Sequence, residues 1–222
     1  MVKIDLRKDY KHLYSPSAKH VQVVDVPRLT FVMIDGVTGP GEPPGLSVAF
    51  QEAIGALYGV SFTLKFASKL RKTDPIDYPV MALEGLWWTD SDEFDPAWSH
   101  GWQWTAMIMQ PEHITEEMFR EAIHQVSRKR DSPALSRVRL EGLHEGLCIQ
   151  VMHVGPYSEE PATIARMAAF AQEHGYVYRG KHHEIYMGDP RRAKPEKLRT
   201  ILRHPVVPAH GTIQTSVASA GA

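Results

Sequence analysis

A carboxylate and a phenol stand two residues apart in the segment 182–192, which reads HHEIYMGDPRR. This pattern predicts a short strand ending in a turn, and residues i and i+2 of a strand point to the same face. Glu184 and Tyr186 should therefore lie side by side, while Ile185 and Met187 face a core. Such a pair can bind a cation, orient a water molecule or donate a proton. The same spacing is also typical of the solvent-facing side of an antiparallel strand.

A second group of side chains that could have a functional role is aromatic. All five tryptophans lie between residues 87 and 104. Clustered indoles most often fill a core. Trp87 and Trp88 are adjacent, however, so they face opposite sides of a regular strand, and at least one should line a cleft or lie under the acidic loop 89–101. Glu84 shares the predicted face of Trp88. Indoles beside a carboxylate suit a flat aromatic or cationic ligand.

The composition narrows the class of protein. The 222 residues are 43% hydrophobic and 23% charged, as in a soluble globular protein. Lys and Arg (25) nearly balance Asp and Glu (26), so we predict no nucleic-acid partner.

The first residues lack an apolar signal core and no apolar run reaches the length of a membrane span, so we predict a cytoplasmic protein without a membrane partner. The single Cys148 fits a reducing compartment and reads as a buried, inert thiol.

The elements that must position these groups form two similar series. We predict a strand, a helix and two strands in each half. The first half has a strand made of the runs 21–26 and 28–37, a helix at 46–70 and strands at 79–88 and 102–109, and the second has a strand at 149–154, a helix at 158–175 and strands at 182–187 and 197–204. A further helix begins after Thr115. The sequence therefore predicts an α+β fold of duplicated strand–helix–strand–strand units, with antiparallel sheets and a central ligand cleft.

These elements predict one domain over residues 1–206, whose two pseudo-symmetric halves span about 18–112 and 134–206. Residues 1–20 are polar and poorly periodic, and we expect a lead-in strap. Residues 207–222 are small and polar, and we expect a disordered tail. A monomer and a homodimer both stay open.

Taken together, residues 18–206 resemble the GyrI-like small-molecule-binding family. The resemblance lies in EGLWW at 84–88, in HEIYMGDPRR at 183–192 and in PEKLRTILR at 195–203. It implies a duplicated α+β fold with a central cleft, related to the haem-binding SOUL family. In transcription factors of the family, the cleft binds cationic or aromatic effectors with a carboxylate that matches Glu184.

About twenty residues precede the first predicted strand, too few for the helix-turn-helix of those regulators. The chain therefore resembles the stand-alone, tryptophan-bearing branch of the family. Some members of that branch are hydrolases that open the cyclopropane of DNA-alkylating natural products of the yatakemycin and duocarmycin type. The resemblance thus implies a planar aromatic small molecule as the partner and a role in detoxification, self-protection and drug resistance.

Opening a cyclopropane conjugated to a dienone needs a water behind the cyclopropane carbon and an acid near the dienone oxygen. We expect Glu184 to orient or deprotonate the water, and Tyr186 or Tyr58 to hydrogen-bond the developing phenolate. Trp88 and Trp104 would sandwich the flat ligand and exclude bulk water. The further expected ligand contacts are Glu84, Trp87 and Tyr157.

Other functions stay open at this point. Sequestration of planar drugs without chemistry needs only the indoles and Glu184. Haem binding would follow the SOUL relatives, but none of the twelve histidines has a haem-specific context. Gyrase inhibition would need an exposed recognition surface. We predict no cofactor and no metal, because the chain lacks a His-Glu-x-x-His motif and paired cysteines, and because the adjacent His182 and His183 face opposite ways on a strand.

Overall fold

The computed structural model describes residues 1–43, 47–89, 101–129 and 132–209. Its strands are β1 (Val2–Lys3), β2 (Gln22–Val37), β3 (Ile76–Asp77), β4 (Leu83–Trp88), β5 (Gln103–Gln110), β6 (Arg139–Val154), β7 (Tyr176–Tyr178), β8 (His182–Tyr186) and β9 (Arg199–Pro208). Its α-helices are α1 (Leu6–Asp9), α2 (Lys11–Tyr14), α3 (Val48–Lys69), α4 (Glu116–Ser127) and α5 (Glu160–Glu173). Short 3-10 turns precede β6, α5 and β9.

Six of these strands close into an antiparallel barrel in the order β6-β2-β5-β4-β8-β9, since β6 also pairs with β9. The first half of the chain supplies β2, α3, β4 and β5, and the second half supplies β6, α5, β8 and β9 in the same order. Strand β2 pairs with β6 and β4 pairs with β8, so equivalent strands meet as pseudo-two-fold partners. The predicted duplicated α+β unit with antiparallel sheets is confirmed.

The two long helices cover separate parts of the outer barrel surface. Helix α3 packs on β2 and β5, and α5 packs on β6. Phe50 of α3 lies with its ring centroid 5.0 Å from Trp104 of β5 and 5.2 Å from Trp87 of β4. Strands β4 and β8 lie between the two helices, where the two halves of the chain meet. We call this outer surface of β4 and β8, between α3 and α5, the central groove.

The inner face of the barrel is filled by alternate residues of the same strands, including Phe31, Met107 and Ile185, all buried. The expected lead-in strap folds into α1 and α2, and its Leu13 and Tyr14 are buried against this interior. Hydrogen bonds to the His12 and Leu13 carbonyls, from Gln150 and Arg203, also attach the segment to the barrel.

Several boundaries differ from the sequence prediction. The strand expected from the runs 21–26 and 28–37 is continuous from Gln22 to Val37 and includes Pro27. Strand β4 begins at Leu83, four residues later than expected. Strand β9 continues to Pro208 because its end pairs with β7, so the first two residues of the expected tail belong to the sheet. The tail from 210 onward and most of the acidic loop, with Trp98, lie outside the described residues.

The expected N-cap of α4 is confirmed, since the Thr115 side chain accepts a hydrogen bond from the Met118 backbone N–H at 3.2 Å. In the described part of the chain, no helix combines the length and the apolar character that crossing a membrane requires.

Candidate active site

Strand β8 carries three polar side chains on its outer face, in the central groove. His182, Glu184 and Tyr186 alternate with residues that point into the barrel, and Ile185 is fully buried there. The spacing argument for Glu184 and Tyr186 is therefore confirmed. Because paired residues of neighbouring strands share a face, Trp87 of β4 lies beside His182 on the same surface. Alternation also places His182 beside Glu184, which the sequence analysis did not use.

These groups form a directed hydrogen-bond chain. Trp87 Nε1 donates to Tyr186 Oη at 3.0 Å, and Tyr186 Oη donates to Glu184 Oε2 at 2.8 Å. His182 Nε2 lies 3.4 Å from the other carboxylate oxygen, Oε1. Burial, and then the charge of Glu184, raise the pKa of Tyr186 well above its usual range, so the phenol keeps its proton. The Glu184 side chain is 14% exposed and can meet a ligand in the groove.

Gly85 makes the hydrogen-bond chain from Trp87 through Tyr186 to Glu184 sterically possible. It lies on β4 between the strand positions of Leu83 and Trp87 and opposite Glu184 on β8. A Cβ at this position would lie 2.7 Å from Trp87 Nε1 and 3.2 Å from Tyr186 Oη. The absence of a side chain thus leaves room for the indole to reach across the strand to the phenol.

A second carboxyl group belongs to the site, and the sequence analysis did not find it. Glu160 is the first residue of α5 and is only 6% exposed. Its neighbour on β9 is Thr200, which lies opposite Tyr186 in register. Burial, and then the charge of Glu184, raise the pKa of Glu160 to about 9, so this carboxyl is protonated at neutral pH. In sequence it looks like an ordinary acidic residue in the first turn of a helix, where a negative charge interacts favourably with the helix dipole.

The two expected tyrosines stand on either side of the groove. Tyr157, in the turn before α5, is 40% exposed, and its ring meets that of Tyr186 edge-on with centroids 6.0 Å apart. Burial, and then the charge of Glu160, raise the pKa of Tyr157 to about 12. Tyr58, on α3, is half-buried beside the backbone of Leu83, the β4 residue opposite Tyr186. Burial raises its pKa as well.

The tryptophans are distributed differently from the expected sandwich. Trp104 lies opposite Trp87 in register and is fully buried, with its ring over Gly36 and against Phe50. Trp88 is on the opposite, inner face of β4, and Lys181 Nζ stands 3.3 Å from the centroid of its ring. The expectation that Trp88 and Trp104 clasp one ligand is wrong for this structure, because the register puts their side chains on opposite faces of the sheet.

Glu84 also faces inward and does not reach the groove. It is fully buried, and both oxygens are occupied: Tyr14 Oη donates to Oε1 at 2.6 Å, and His183 Nε2 lies 3.0 Å from Oε2. The other imidazole nitrogen of His183 contacts Glu145 at 3.0 Å, and Arg203 Nη1 lies 3.3 Å from the same carboxylate. Two acids and two bases thus neutralise one another inside the barrel. We infer that this network, Glu84 included, has a structural role, because removal of one partner would leave an uncompensated charge inside the barrel.

The directions of the pKa shifts agree with that role. Burial alone would lower the pKa of His183, but the charges and hydrogen bonds of Glu145 and Glu84 outweigh it and raise the pKa to about 9. Burial would raise the pKa of Glu145, but His183 and Arg203 lower it to about 2. Each charge therefore depends on its partners for solvation.

The remaining candidates carry no separate site. Cys148 is fully buried, and burial raises the pKa of its thiol to about 12, so it is a packing residue. Within the described ranges, no group of three or more His, Cys, Asp or Glu side chains is arranged to hold a metal ion.

Comparison with known proteins places this geometry in a family. The GyrI-like small molecule binding domain matches residues 19–207. An uncharacterized conserved protein from Listeria innocua is similar over 92% of this chain and 100% of its own, with 38% identity and a TM-score of 0.83. Two structures of a hydrolase from Listeria innocua, 37% and 38% identical, have TM-scores of 0.77 and 0.80 over the same shares of both chains. No curated protein matches significantly.

The family match covers both halves of the barrel and the whole of the central groove. The similar proteins share the fold over nearly the full described chain. The chain therefore belongs to the GyrI-like small-molecule-binding domain family.

Proposed function

We propose that this protein is a hydrolase that adds water to a planar, electrophilic small molecule, and that the cyclopropane of DNA-alkylating cyclopropanoids is the bond it opens. The observation that carries the proposal is the Glu184 carboxylate, partly exposed in the groove and held by the Trp87–Tyr186 hydrogen-bond chain. The Listeria proteins described as hydrolases support the reaction type.

Glu184 is placed to act as the base. Its Oε2 is fixed by Tyr186, which leaves Oε1, close to His182, to accept a proton from water. The ring strain and the aromatisation of the dienone supply most of the driving force. Acid–base assistance of about 10²–10⁴-fold, which positioned side chains commonly provide, is then sufficient.

The walls of the groove suit a flat ligand. Tyr157 presents a partly exposed ring beside Tyr186, and Tyr58 stands on the α3 side. Aromatic rings of this kind bind planar molecules through stacking and edge contacts. Binding in the groove would bring the reactive carbon of such a ligand within reach of Glu184.

The test is incubation of the purified protein with excess duocarmycin-type cyclopropanoid, with the ring-opened product followed by mass spectrometry. We expect many turnovers, reduced at least about 10²-fold in Glu184→Gln. The matched control is Glu196→Gln on the exposed surface, which should keep full activity. Binding followed by tryptophan fluorescence, with product at the buffer level, would instead establish sequestration and refute the hydrolase.

A further inference from the structure

We infer that Glu160 is the proton donor of this site, and that Glu160 and Glu184 divide the chemistry as acid and base. The inference rests on the proposed hydrolysis and names the group that completes it. It assigns a function to a buried carboxyl that neither the motif nor the strand pattern selected.

The structure argues against Tyr186 as the donor. Its oxygen already accepts the Trp87 N–H, and its one proton is directed at Glu184. A carboxylate has no proton to offer in return, so this bond requires the phenol as donor. Releasing that proton to a substrate would leave a phenolate beside Glu184, in a buried setting that already disfavours ionisation. Tyr186 is therefore a positioning residue for Glu184.

Glu160 has the opposite properties. It is 94% buried, as its 6% exposure shows, and its Oε1 makes no hydrogen bond within the part of the chain that the structure describes. It faces the same cluster, because its neighbour Thr200 lies opposite Tyr186 in register, the charge of Glu184 raises the pKa of Glu160, and the charge of an ionised Glu160 raises the pKa of Tyr186 and Tyr157. An unpartnered buried carboxyl oxygen is costly unless a ligand or a proton satisfies it.

The neighbouring carboxylate explains why this group holds a proton. Ionisation of both of two carboxyls that interact across a buried site has a high cost in electrostatic free energy, so one of them keeps its proton. Glu184 accepts a hydrogen bond from a phenol, which stabilises its charge, whereas the partner of Glu160 is the Thr200 hydroxyl, whose lowering of the Glu160 pKa is outweighed by burial and by the charge of Glu184. The division of roles therefore follows from the hydrogen-bond partners of the two groups.

The reaction balances with these two groups alone. Glu184 takes one proton from water while the water oxygen forms a bond to the cyclopropane carbon. The carbon–carbon bond of the ring breaks, and its electron pair aromatises the dienone and reaches the oxygen. Glu160 gives its proton to that oxygen. Transfer of a proton from Glu184 back to Glu160 restores both groups, and the net change is the addition of one water.

The first test needs no substrate. With ¹³C-labelled glutamate side chains, the carboxyl signal that disappears in Glu160→Gln should stay protonated at pH 7 and titrate at clearly higher pH. A Glu160 signal that titrates near the ordinary range of glutamate would overturn the assignment, whatever the substrate is.

The second test is kinetic. Glu160→Gln should lower kcat on the cyclopropanoid about 10²–10⁴-fold, with ligand affinity changed only a few-fold, and should remove the alkaline limb of the pH profile. Glu159→Gln, the exposed neighbour, is the matched control and should behave as the wild type. Wild-type turnover that Glu160→Gln retains overturns the role of Glu160 alone. Wild-type product at the buffer level overturns the proposed hydrolysis.

Discussion

The buried carboxyl of Glu160 makes protein stability depend on pH in a way that can be calculated. Its pKa is about 9 in the folded protein, against 4.5 ordinarily. The folded state holds this proton more tightly than the unfolded state does. The contribution of the Glu160 proton to the free energy of unfolding is therefore complete below pH 4.5 and is lost as the pH rises towards 9. Each pH unit in that window costs about 1.4 kcal/mol, so the loss at pH 7 is about 3 kcal/mol.

Glutamine has nearly the same shape and no proton to lose. Glu160→Gln should therefore unfold with a free energy that exceeds the wild-type value by an amount growing about 1.4 kcal/mol per pH unit above pH 4.5. Near pH 7 this corresponds to a rise in Tm of roughly 6–12 °C for a chain of this size. The variant would thus be more stable and less active, as expected for a group kept for its chemistry.

The assay is urea unfolding at pH 5.5, 7.0 and 8.5, followed by tryptophan fluorescence, with m-values compared to ensure that the unfolding reaction is the same. Taking the difference between variant and wild type cancels the contributions of His183 and Glu145, which also titrate with the fold. Glu159→Gln should show a difference that does not change with pH. A difference for Glu160→Gln that is also constant from pH 5.5 to 8.5 would refute the raised pKa of Glu160.

Three further substitutions probe the two faces of the sheet. Gly85→Ala places a methyl group against the Trp87 indole and the Tyr186 hydroxyl, and should cost about 1–3 kcal/mol in urea unfolding; a change below about 0.5 kcal/mol would contradict the packing. Trp87→Phe removes the N–H donor to Tyr186 and should lower kcat about 2–10-fold, the kinetic equivalent of one ordinary hydrogen bond; an unchanged kcat would show that Tyr186 needs no support. Tyr14→Phe leaves Glu84 Oε1 without its donor inside the barrel and should cost about 1–3 kcal/mol of stability, yet leave ligand affinity in the groove unchanged; weakened affinity would contradict the separation of the faces.

The alternation of side chains along a strand allowed several positions in the site to be predicted from the sequence. The residues of β8 switch faces at every step, so the pairing of Glu184 with Tyr186 and the inward position of Ile185 could be predicted without a partner strand. The order of elements in the two halves predicted the duplicated fold for a similar reason, because hydrophobic period and turn residues are local properties. Helix ends followed the same logic, as the Thr115 cap shows.

The roles of Trp104 and Glu84 could not be predicted in this way. Each has the chemistry of a ligand contact, and each is buried away from the groove, one under Phe50 and the other between Tyr14 and His183. Which face of β4 or β5 meets a helix and which closes the barrel depends on strand register. Register is set by the packing of the whole sheet.

The sequence by itself therefore determined the series of elements, the duplicated α+β architecture and the Glu184–Tyr186 pair, because these depend on residues a few positions apart. Only the tertiary structure decided which carboxyls share a site. Glu160 and Glu184 are 24 positions apart on a helix and a strand, and the closing of the barrel buries them within electrostatic range of each other. Loss of water around the two groups, which no local pattern encodes, is what raises the pKa of Glu160 and distinguishes the acid from the base.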